Sequence, residues 1–279
     1  MEVRRHDSAD DFRRVAVDIY RRDPVVSTIE LMVLRGSLVD RNPGTFVTVL
    51  DQDAVVGAAF QTLRSPLLCS GLPAESVESV AAEIAGAHLQ LNGVHGPTQI
   101  ATSFAAAWSA ATGAATTQTT QERLNKLGTL EPPTVDGEAR LADSRDEGLV
   151  ALWLNRFRTE ALRIKVEPGA KRRRVRIAVE PPDEFMLWIV DGQPVSAGGL
   201  RAPTEGVSRI GPVYTPTEHR GKGYGSAVTA AVAARALESG ADEVVLFTDL
   251  TNPALEAIYQ RLGFQPVTEF VRFDFTVSK

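Results

Sequence analysis

The sequence predicts an α/β protein in which a mixed sheet is flanked by helices and a similar unit occurs twice. A turn-forming stretch, Glu131–Gly137, divides the 279 residues into two halves of comparable length. Each half contains a helical stretch followed by two short apolar runs joined by an Asp-containing turn, a pattern typical of a β-hairpin. In the second half, a glycine-rich segment also separates a predicted strand from a predicted helix.

Length and composition indicate a soluble globular protein. At roughly 100–200 residues per domain, the chain has room for two domains. Its residues are 43% hydrophobic and 23% charged, and the net charge of -5 argues against nucleic acid as the main partner. No apolar run is long enough to span a membrane, and the segment after Met1 lacks the apolar core of a signal peptide. We therefore expect a cytoplasmic protein without a membrane partner.

The chain has one cysteine, Cys69, so no disulfide can form within it. This fits a reducing compartment. Cys69 lies in an apolar stretch, residues 66–70, with no base close to it in sequence. A buried, inert thiol is therefore favoured over a nucleophile.

The first half shows helical periodicity, then strand patterns, then further helical stretches. Its strongest signal is the turn Asp51-Gln52-Asp53 between two apolar runs. The predicted elements are a helix over residues 9–34, hairpin strands at 45–50 and 54–61, a helix over 74–87, and a helix end followed by an extended segment within 105–120.

The second half has sharper signals. Asp191-Gly192 between apolar runs predicts a tight hairpin. The proline at 253 fits the first position of a helix. The predicted elements are a helix over residues 143–162, hairpin strands at 185–190 and 194–200, a strand at 206–215, a helix at 225–239, a strand at 243–249, a helix at 253–262 and a strand at 267–277.

Three alternating glycines, Gly221, Gly223 and Gly225, directly precede a predicted helix. Glycine lets the backbone turn tightly and lets a ligand approach closely. The first turn of a helix offers free N–H groups and the positive end of the helix dipole. This combination predicts a site for phosphate or pyrophosphate, with Arg220 and Lys222 adding positive charge. The alternative is a tight turn that only caps the helix.

Two common phosphate-binding motifs fit this loop poorly. The spacing of a Walker A loop is absent. Gly221, Gly223 and Ser226 approximate a dinucleotide fingerprint, with Asp249 as the acidic residue. However, Ser226 replaces the third glycine, and only about 30 residues follow Asp249, too few to complete a doubly wound sheet.

The pattern Arg220-x-x-Gly223-x-Gly225 resembles the pyrophosphate loop of the GCN5-related N-acetyltransferase (GNAT) family, which binds coenzyme A. Residues 252–264, with an Asn, a Tyr and a final Gly-Phe, resemble the second motif of that family. The resemblance covers about residues 137–277 and is closest to the FR47-like branch. It implies a mixed, mostly antiparallel GNAT sheet, with a catalytic domain in 135–279. The first half, 1–134, would be a degenerate GNAT-like domain in tandem with it.

The resemblance also implies ligands and residue roles. Acetyl-CoA would be the cosubstrate, a primary amine the acceptor, and no metal would be needed. Tyr259 lies on the apolar face of a predicted helix, which by itself would make it a core residue. However, it matches the family tyrosine that protonates the departing thiolate. Val213 and Thr215 would act through their backbones, and Asn252 would cap its helix or contact the cofactor. The implied cofactor-binding residues are Val213, Tyr214, Thr215, Arg220, Gly221, Lys222, Gly223, Tyr224, Gly225, Ser226 and Asn252.

Several questions stay open at this point. The basic run Lys171–Arg174, with Arg176, is either a solvated loop or part of an acceptor site. A non-catalytic protein that binds acyl-CoA for regulation is the alternative function, and the oligomeric state is not predicted. No motif assigns the general base, for which the candidates are Glu180, Glu184, Glu205, Glu218 and His219.

Overall fold

The structure is a computed structural model that describes residues 1–36, 44–62, 65–160 and 184–276. Within these residues, no helix is long and apolar enough to cross a membrane. The helices are α1 (Ala9–Arg21), α2 (Thr28–Arg35), α3 (Val77–Gly86), α4 (Thr98–Thr112), α5 (Glu147–Glu160), α6 (Tyr224–Glu238) and α7 (Pro253–Arg261). The strands are β1 (Glu2–Arg5), β2 (Thr45–Asp51), β3 (Ala54–Gln61), β4 (Leu67–Gly71), β5 (Gly93–Pro97), β6 (Ala115–Leu127), β7 (Glu138–Leu141), β8 (Glu184–Val190), β9 (Gln193–Thr204), β10 (Val207–Tyr214), β11 (Glu243–Asp249) and β12 (Phe264–Thr276).

The chain forms two compact units. The domains predicted at 1–134 and 135–279 remain a prediction, because compactness alone does not show which segments fold by themselves. The first unit consists of Met1–Leu124, Thr248–Pro253 and Pro266–Lys279, and the second consists of Asn125–Phe247 and Ala254–Gln265.

In the first unit, the strand order is β1-β2-β3-β4-β5-β12-β6. Helices α1 and α2 pack on one face of this sheet around Phe12, Tyr20 and Phe60. Helices α3 and α4 pack on the other face around Ile84 and Phe104. The pair β4–β5 is parallel, whereas β1–β2, β2–β3, β3–β4 and β5–β12 are antiparallel.

In the second unit, the strand order is β11-β10-β9-β8-β7. The pair β10–β11 is parallel and the other three pairs are antiparallel. Helix α5 packs on one face with Trp153 against Tyr214 and Leu187. Helix α6 packs on the other face, where Val228 and Val232 lie in a second apolar cluster. The sheets of both units thus confirm the predicted α/β class with a mixed, mostly antiparallel sheet.

Both predicted hairpins are present. Gln52 and Asp53 have φ of 46° and 72°, and Asp191 and Gly192 have φ of 49° and 74°. Paired positive φ values belong to the tight turn whose twist matches that of the two strands. Asp and Gly tolerate this conformation, which explains why the sequence signal was reliable.

The single helix predicted over residues 9–34 is wrong. The chain forms α1 and α2 instead, separated by a break that contains Pro24. Proline has no N–H to donate and disfavours a helical conformation in the residue before it. The predicted helix over 143–162 begins as a short 3-10 turn, Ser144–Asp146, and its last two residues lie outside the described residues.

Glu30, on α2, is only 1% exposed. Its Oε1 accepts a hydrogen bond from the backbone N–H of Ser70 over 3.1 Å, whereas Oε2 has no partner in the described part of the chain. The buried hydroxyls of Tyr20 and Ser70 also lack partners there. Burial raises the pKa of Glu30, and its contacts with Ser70 oppose this shift only in part.

We expect Glu30→Gln to make the stability of the protein less dependent on pH. Because the folded-state pKa of Glu30 is raised, the folded state holds this proton more tightly than the unfolded state. The resulting stabilisation is complete below the unfolded-state pKa and is lost as the pH rises through the folded-state pKa. Replacing the carboxyl group should reduce the pH-dependent change in the free energy of unfolding by about 1.4 kcal/mol for each unit of difference between the folded-state and unfolded-state pKa.

Urea denaturation of both proteins across the range from acidic to alkaline pH measures this difference. Glu78→Gln is the matched control, because Glu78 is an exposed acidic residue on α3. If the free energy of unfolding changes with pH by the same amount in the wild type and in Glu30→Gln, the prediction is contradicted.

Candidate functional site

The glycine-rich loop joins β10 to α6, as predicted. Gly221 and Gly223 have φ of 78° and 83°, in the left-handed region that side chains disfavour. Helix α6 begins at Tyr224, and its first intrahelical bond runs from the N–H of Ala227 to the carbonyl of Gly223 over 3.0 Å. The preceding N–H groups, through Ser226, therefore have no partner within the helix. They form a cluster of donors suited to an anion.

The loop offers room on its outer side. A Cβ added at Gly221 would meet nothing within 4 Å. On the inner side, a Cβ at Gly225 would lie 3.3 Å from Oγ1 of Thr215, so the loop folds tightly against the end of β10. The chain thus has a compact backbone cradle that is open at Gly221, and this shape fits a phosphate or pyrophosphate group.

The strand that leads into the loop parts from its neighbour. The parallel pairing of β10 with β11 covers only Val207–Arg209 and Glu243–Val245. The register against β9 then shifts between Ile210 and Val213, which indicates a β-bulge. Past this point Val213, Tyr214 and Thr215 continue toward the loop without pairing to β11, which leaves a gap along β10.

Arg220, at the start of the loop, is held by the protein. Its Nη2 donates to Oε2 of Glu160 over 2.6 Å, and its Nε donates to the carbonyl of Thr215 over 3.0 Å. The hydroxyl of Tyr214 donates to Oε1 of the same glutamate over 3.0 Å, and the Arg220 guanidinium lies 5.9 Å from the centre of the Tyr214 ring. The carboxylate of Glu160 therefore ties the end of α5 to both β10 and the loop.

These contacts affect the protonation of Glu160 and Tyr214. Hydrogen bonds from Arg220 and then Tyr214 lower the pKa of Glu160, so it stays ionised and is a poor base. Burial, and then Glu160, raise the pKa of Tyr214. Lys222 is exposed beside Arg220 and forms no hydrogen bond or ion pair with another described residue, so its charge is available to a ligand.

Tyr259 lies on α7, partly buried against the apolar cluster of the second unit. Its ring packs edge-on against Phe264, with centroids 6.1 Å apart. Burial raises the pKa of Tyr259 to about 12, so its hydroxyl is protonated at neutral pH. It can donate a proton but cannot act as a base under these conditions.

Asn252 is exposed and directly precedes α7, in the N-cap position that the sequence predicts. Its backbone N–H donates to the carbonyl of Asp249 over 3.1 Å. Asp249 also accepts hydrogen bonds from the N–H and hydroxyl of Thr251, which order this turn. A contact of Asn252 with a cofactor stays a prediction.

The candidates for general base have different surroundings. Glu184 forms two hydrogen bonds with Arg235, at 2.9 and 3.1 Å, which makes it a structural residue. Glu218 and His219 form a short 3-10 turn before the loop, and Glu205 lies in the turn between β9 and β10. Glu180 and the basic run at 171–176 lie outside the described residues.

Other features bear on which chemistry the site can support. Cys69 is fully buried, as predicted, and burial raises the pKa of its thiol well above the usual value, which disfavours the nucleophilic thiolate. Across the described ranges, no three His, Cys, Asp or Glu side chains gather as they would around a metal ion.

Glu160 was missed by sequence reasoning, because 60 residues separate it from Arg220 and no local spacing links them.

Comparison with known proteins identifies the segment that carries the loop. Residues 150–264 match the model of the acetyltransferase (GNAT) family. This segment, which is less than half of the chain, is similar to GNAT acetyltransferases. Assignment to the FR47-like branch remains a prediction.

Similar proteins extend this result to the fold of the whole chain. A tandem GNAT protein of clavulanic acid biosynthesis superposes with a TM-score of 0.61 at 15% identity, covering 98% of each chain. A GNAT-family acetyltransferase of Colwellia psychrerythraea gives 0.60 at 12% identity, covering 99% of this chain and 100% of that one. These likenesses show a shared fold, and they confirm two GNAT-like halves in tandem.

Among curated sequences, a mycothiol acetyltransferase of Corynebacterium aurimucosum is 35% identical over 100 residues. The match covers 32% of this chain and 33% of that protein. The chain therefore aligns with about a third of the length of this relative, and the activity of the relative's whole protein is not transferred by the match.

We expect Glu160→Gln to lower the pKa of Tyr214, because the ionised carboxylate raises it in the wild type. Ultraviolet difference absorbance of the phenolate during an alkaline titration measures this shift. Tyr214→Phe, made in the wild type and in Glu160→Gln, identifies which transition belongs to Tyr214. If the pKa of Tyr214 is the same in Glu160→Gln as in the wild type, Glu160 is not the group that raises it.

Proposed function

We propose that this protein belongs to the GNAT family and transfers an acyl group, acetyl in the first instance, from acyl-CoA to a primary amine. The glycine cradle at the start of α6, beside the gap where β10 parts from β11, carries this proposal. The cradle supplies donors for a diphosphate, and the gap offers backbone groups to an extended chain. Both features lie in the segment that matches the family model.

The residues of the cradle would share the work of binding. The N–H groups at Tyr224, Gly225 and Ser226 would hold the pyrophosphate, with Gly221 and Gly223 shaping the turn. Lys222 would add an unshared positive charge, and Arg220 would add the part of its charge that Glu160 leaves uncompensated. Along the gap, the backbone of Val213 and Thr215 would hold the pantetheine arm, and Asn252 would contact it from the start of α7.

The chemistry needs no covalent enzyme intermediate. The amine nitrogen would attack the thioester carbonyl carbon directly, the carbon–sulfur bond would break, and the sulfur would leave as a thiolate. A backbone N–H on β10 would polarise the carbonyl, which is stabilisation of the oxyanion type. The hydroxyl of Tyr259 would protonate the thiolate, and the proton that the amine nitrogen loses would pass to solvent water, from which Tyr259 would regain its own. Cys69, the one cysteine of the chain, is buried and protonated, which supports direct transfer.

The acceptor is proposed by class only. Relatives in Corynebacterium aurimucosum and Salinispora tropica are named mycothiol acetyltransferase, so acceptors of that kind are the first small molecules to test. A cytoplasmic setting is part of the proposal, because a single cysteine fits a reducing compartment.

We expect acetyl-CoA to stabilise the protein against heat, whereas NAD and ATP should not. A ligand at 100 times its dissociation constant adds about 2.7 kcal/mol, which for a chain of this size raises the Tm by roughly 5–10 °C. Gly221→Ala should remove the shift, because alanine strains the left-handed cradle. Differential scanning fluorimetry with each ligand measures the effect.

Gly240→Ala is the matched control. Gly240 also has a positive φ, of 84°, and also has open space around an added Cβ, but it lies in the turn after α6. Its alanine variant should lose similar stability and keep the acetyl-CoA shift. A wild type that responds to none of the acyl-CoAs or to free CoA would refute the proposed function.

We expect Tyr259→Phe to lower kcat by about 100-fold or more while the Kd of acetyl-CoA stays within about twofold, since a proton donor contributes to the reaction and not to binding. Stopped-flow thiol release gives kcat, and calorimetry gives Kd. The ring packing against Phe264 should be retained, so the thermal stability of the variant checks the fold. Unchanged turnover would assign the proton to another donor.

A further inference from the structure

The end of β10 is held by a hydroxyl group of the neighbouring strand. Ser196, on β9, is fully buried, and its Oγ donates to the carbonyl oxygen of Tyr214 over 3.2 Å. The same Oγ lies 2.8 Å from Oγ1 of Thr215, the residue directly after β10. A serine hydroxyl has one proton, so the hydroxyl of Thr215 is the donor in this second bond. Both bonds act at the point where β10 leads into the glycine loop.

Ser196 lies on the face of the sheet that α6 covers. Gly198, two residues further along β9 and therefore on the same face, packs against α6: an added Cβ would be 2.9 Å from Cγ2 of Val232. This face is otherwise lined by an apolar cluster. Burying a hydroxyl among apolar groups is unfavourable unless hydrogen bonds compensate for the loss of water. The two directional bonds of Ser196, and not its packing, therefore account for a serine at this position.

Thr215 connects these strands to α6. A Cβ at Gly225, in the first turn of α6, would lie 3.3 Å from Oγ1 of Thr215, so the helix begins in close contact with this hydroxyl. One turn later, the buried hydroxyl of Thr229 donates to the carbonyl of Gly225 over 2.7 Å. Hydroxyl groups on β9, on the residue after β10 and on α6 thus fix the first turn of α6 against the end of β10.

We propose that Ser196 is a positioning residue, which holds the backbone groups at the end of β10 at a fixed distance from the N–H groups at the start of α6. This inference rests on the proposed function, in which the first set of groups holds the pantetheine arm and the second set holds the diphosphate. A ligand that meets both sets binds more tightly when their spacing is fixed beforehand, since less freedom is lost on binding. Because Ser196 is fully buried, it acts through Thr215 and not by contact with the ligand.

The test compares CoA with adenosine 3′-phosphate 5′-diphosphate, which is CoA without its pantetheine arm. Ser196→Ala should raise the Kd of CoA by about tenfold, the size of effect that one lost hydrogen bond has, and leave the Kd of the nucleotide within about twofold. Calorimetry measures both constants, and thermal unfolding without ligand checks the fold. Ser208→Ala is the matched control, because Ser208 is a fully buried serine on β10 whose hydroxyl has no partner among the described residues. It should change neither Kd.

A double-mutant cycle tests the connection through Thr215. Thr215→Val keeps the branched shape of the side chain and removes the hydroxyl. Because Ser196→Ala and Thr215→Val remove the same hydrogen bond, the double variant should bind CoA no more weakly than the weaker-binding single variant. Thr215→Ser restores the hydroxyl and should recover most of the CoA affinity that Thr215→Val loses. Losses that add in the double variant would overturn the connection.

The outcomes separate this inference from the proposed function. If the wild type binds CoA but Ser196→Ala weakens CoA and the nucleotide equally, or weakens neither, the positioning role is overturned and the proposed function stands. If Ser196→Ala does not fold, Thr215→Val gives the same comparison, and an equal effect on both ligands overturns the role in the same way. A wild type that binds neither CoA nor acetyl-CoA would overturn both the inference and the proposed function.

Discussion

Backbone N–H and C=O groups that leave a β-ladder must find new partners, and both units of this chain contain a parallel pair that ends early. In the first unit, the pairing of β4 with β5 stops at Leu68 and His95. The chain then supplies partners of its own: the N–H of Ser70 donates to Glu30, and the thiol of Cys69 lies 3.4 Å from the carbonyl of His95. Side chains of the first unit thus supply partners at this gap, and a carboxyl group is buried as a result.

In the second unit, the corresponding gap follows Arg209 and Val245 and leads directly into the glycine loop. We assign its backbone groups to a ligand. The contrast gives a physical meaning to the degenerate first half that the sequence predicts. A unit that satisfies its gap with Glu30 has little reason to keep a glycine loop, whereas a unit that leaves the gap to a ligand needs one beside it.

Local chemistry explains why the second half was predicted well. Asp191-Gly192, the glycines at 221 and 223 and the proline at 253 each favour a particular backbone conformation, and the elements beside them were predicted to within a few residues. Where a local signal was overlooked, as at Pro24, the prediction failed. Contacts between distant segments had no such signal. The pairing of β5 with β12 joins residues near 95 and 272, and no periodicity in either strand identifies its partner.

The same limit applied to the site. Sequence patterns identified the loop, but not the groups that surround it: Glu160 reaches Arg220 from the end of α5, and Val135 lies against Gly223 from the segment between β6 and β7. These residues change how the loop can bind. Arg220 uses two of its nitrogens on Glu160 and Thr215, so part of its charge is already compensated. A diphosphate would therefore depend chiefly on the backbone N–H groups of α6, whose positions are fixed by the fold and whose attraction needs no side chain to be ordered. The charge of Lys222, within the loop, is exposed and subject to screening by salt. The backbone and the exposed charge would then contribute separately to ligand affinity. The backbone contribution would depend on glycine geometry, and the contribution of the exposed charge would depend on ionic strength.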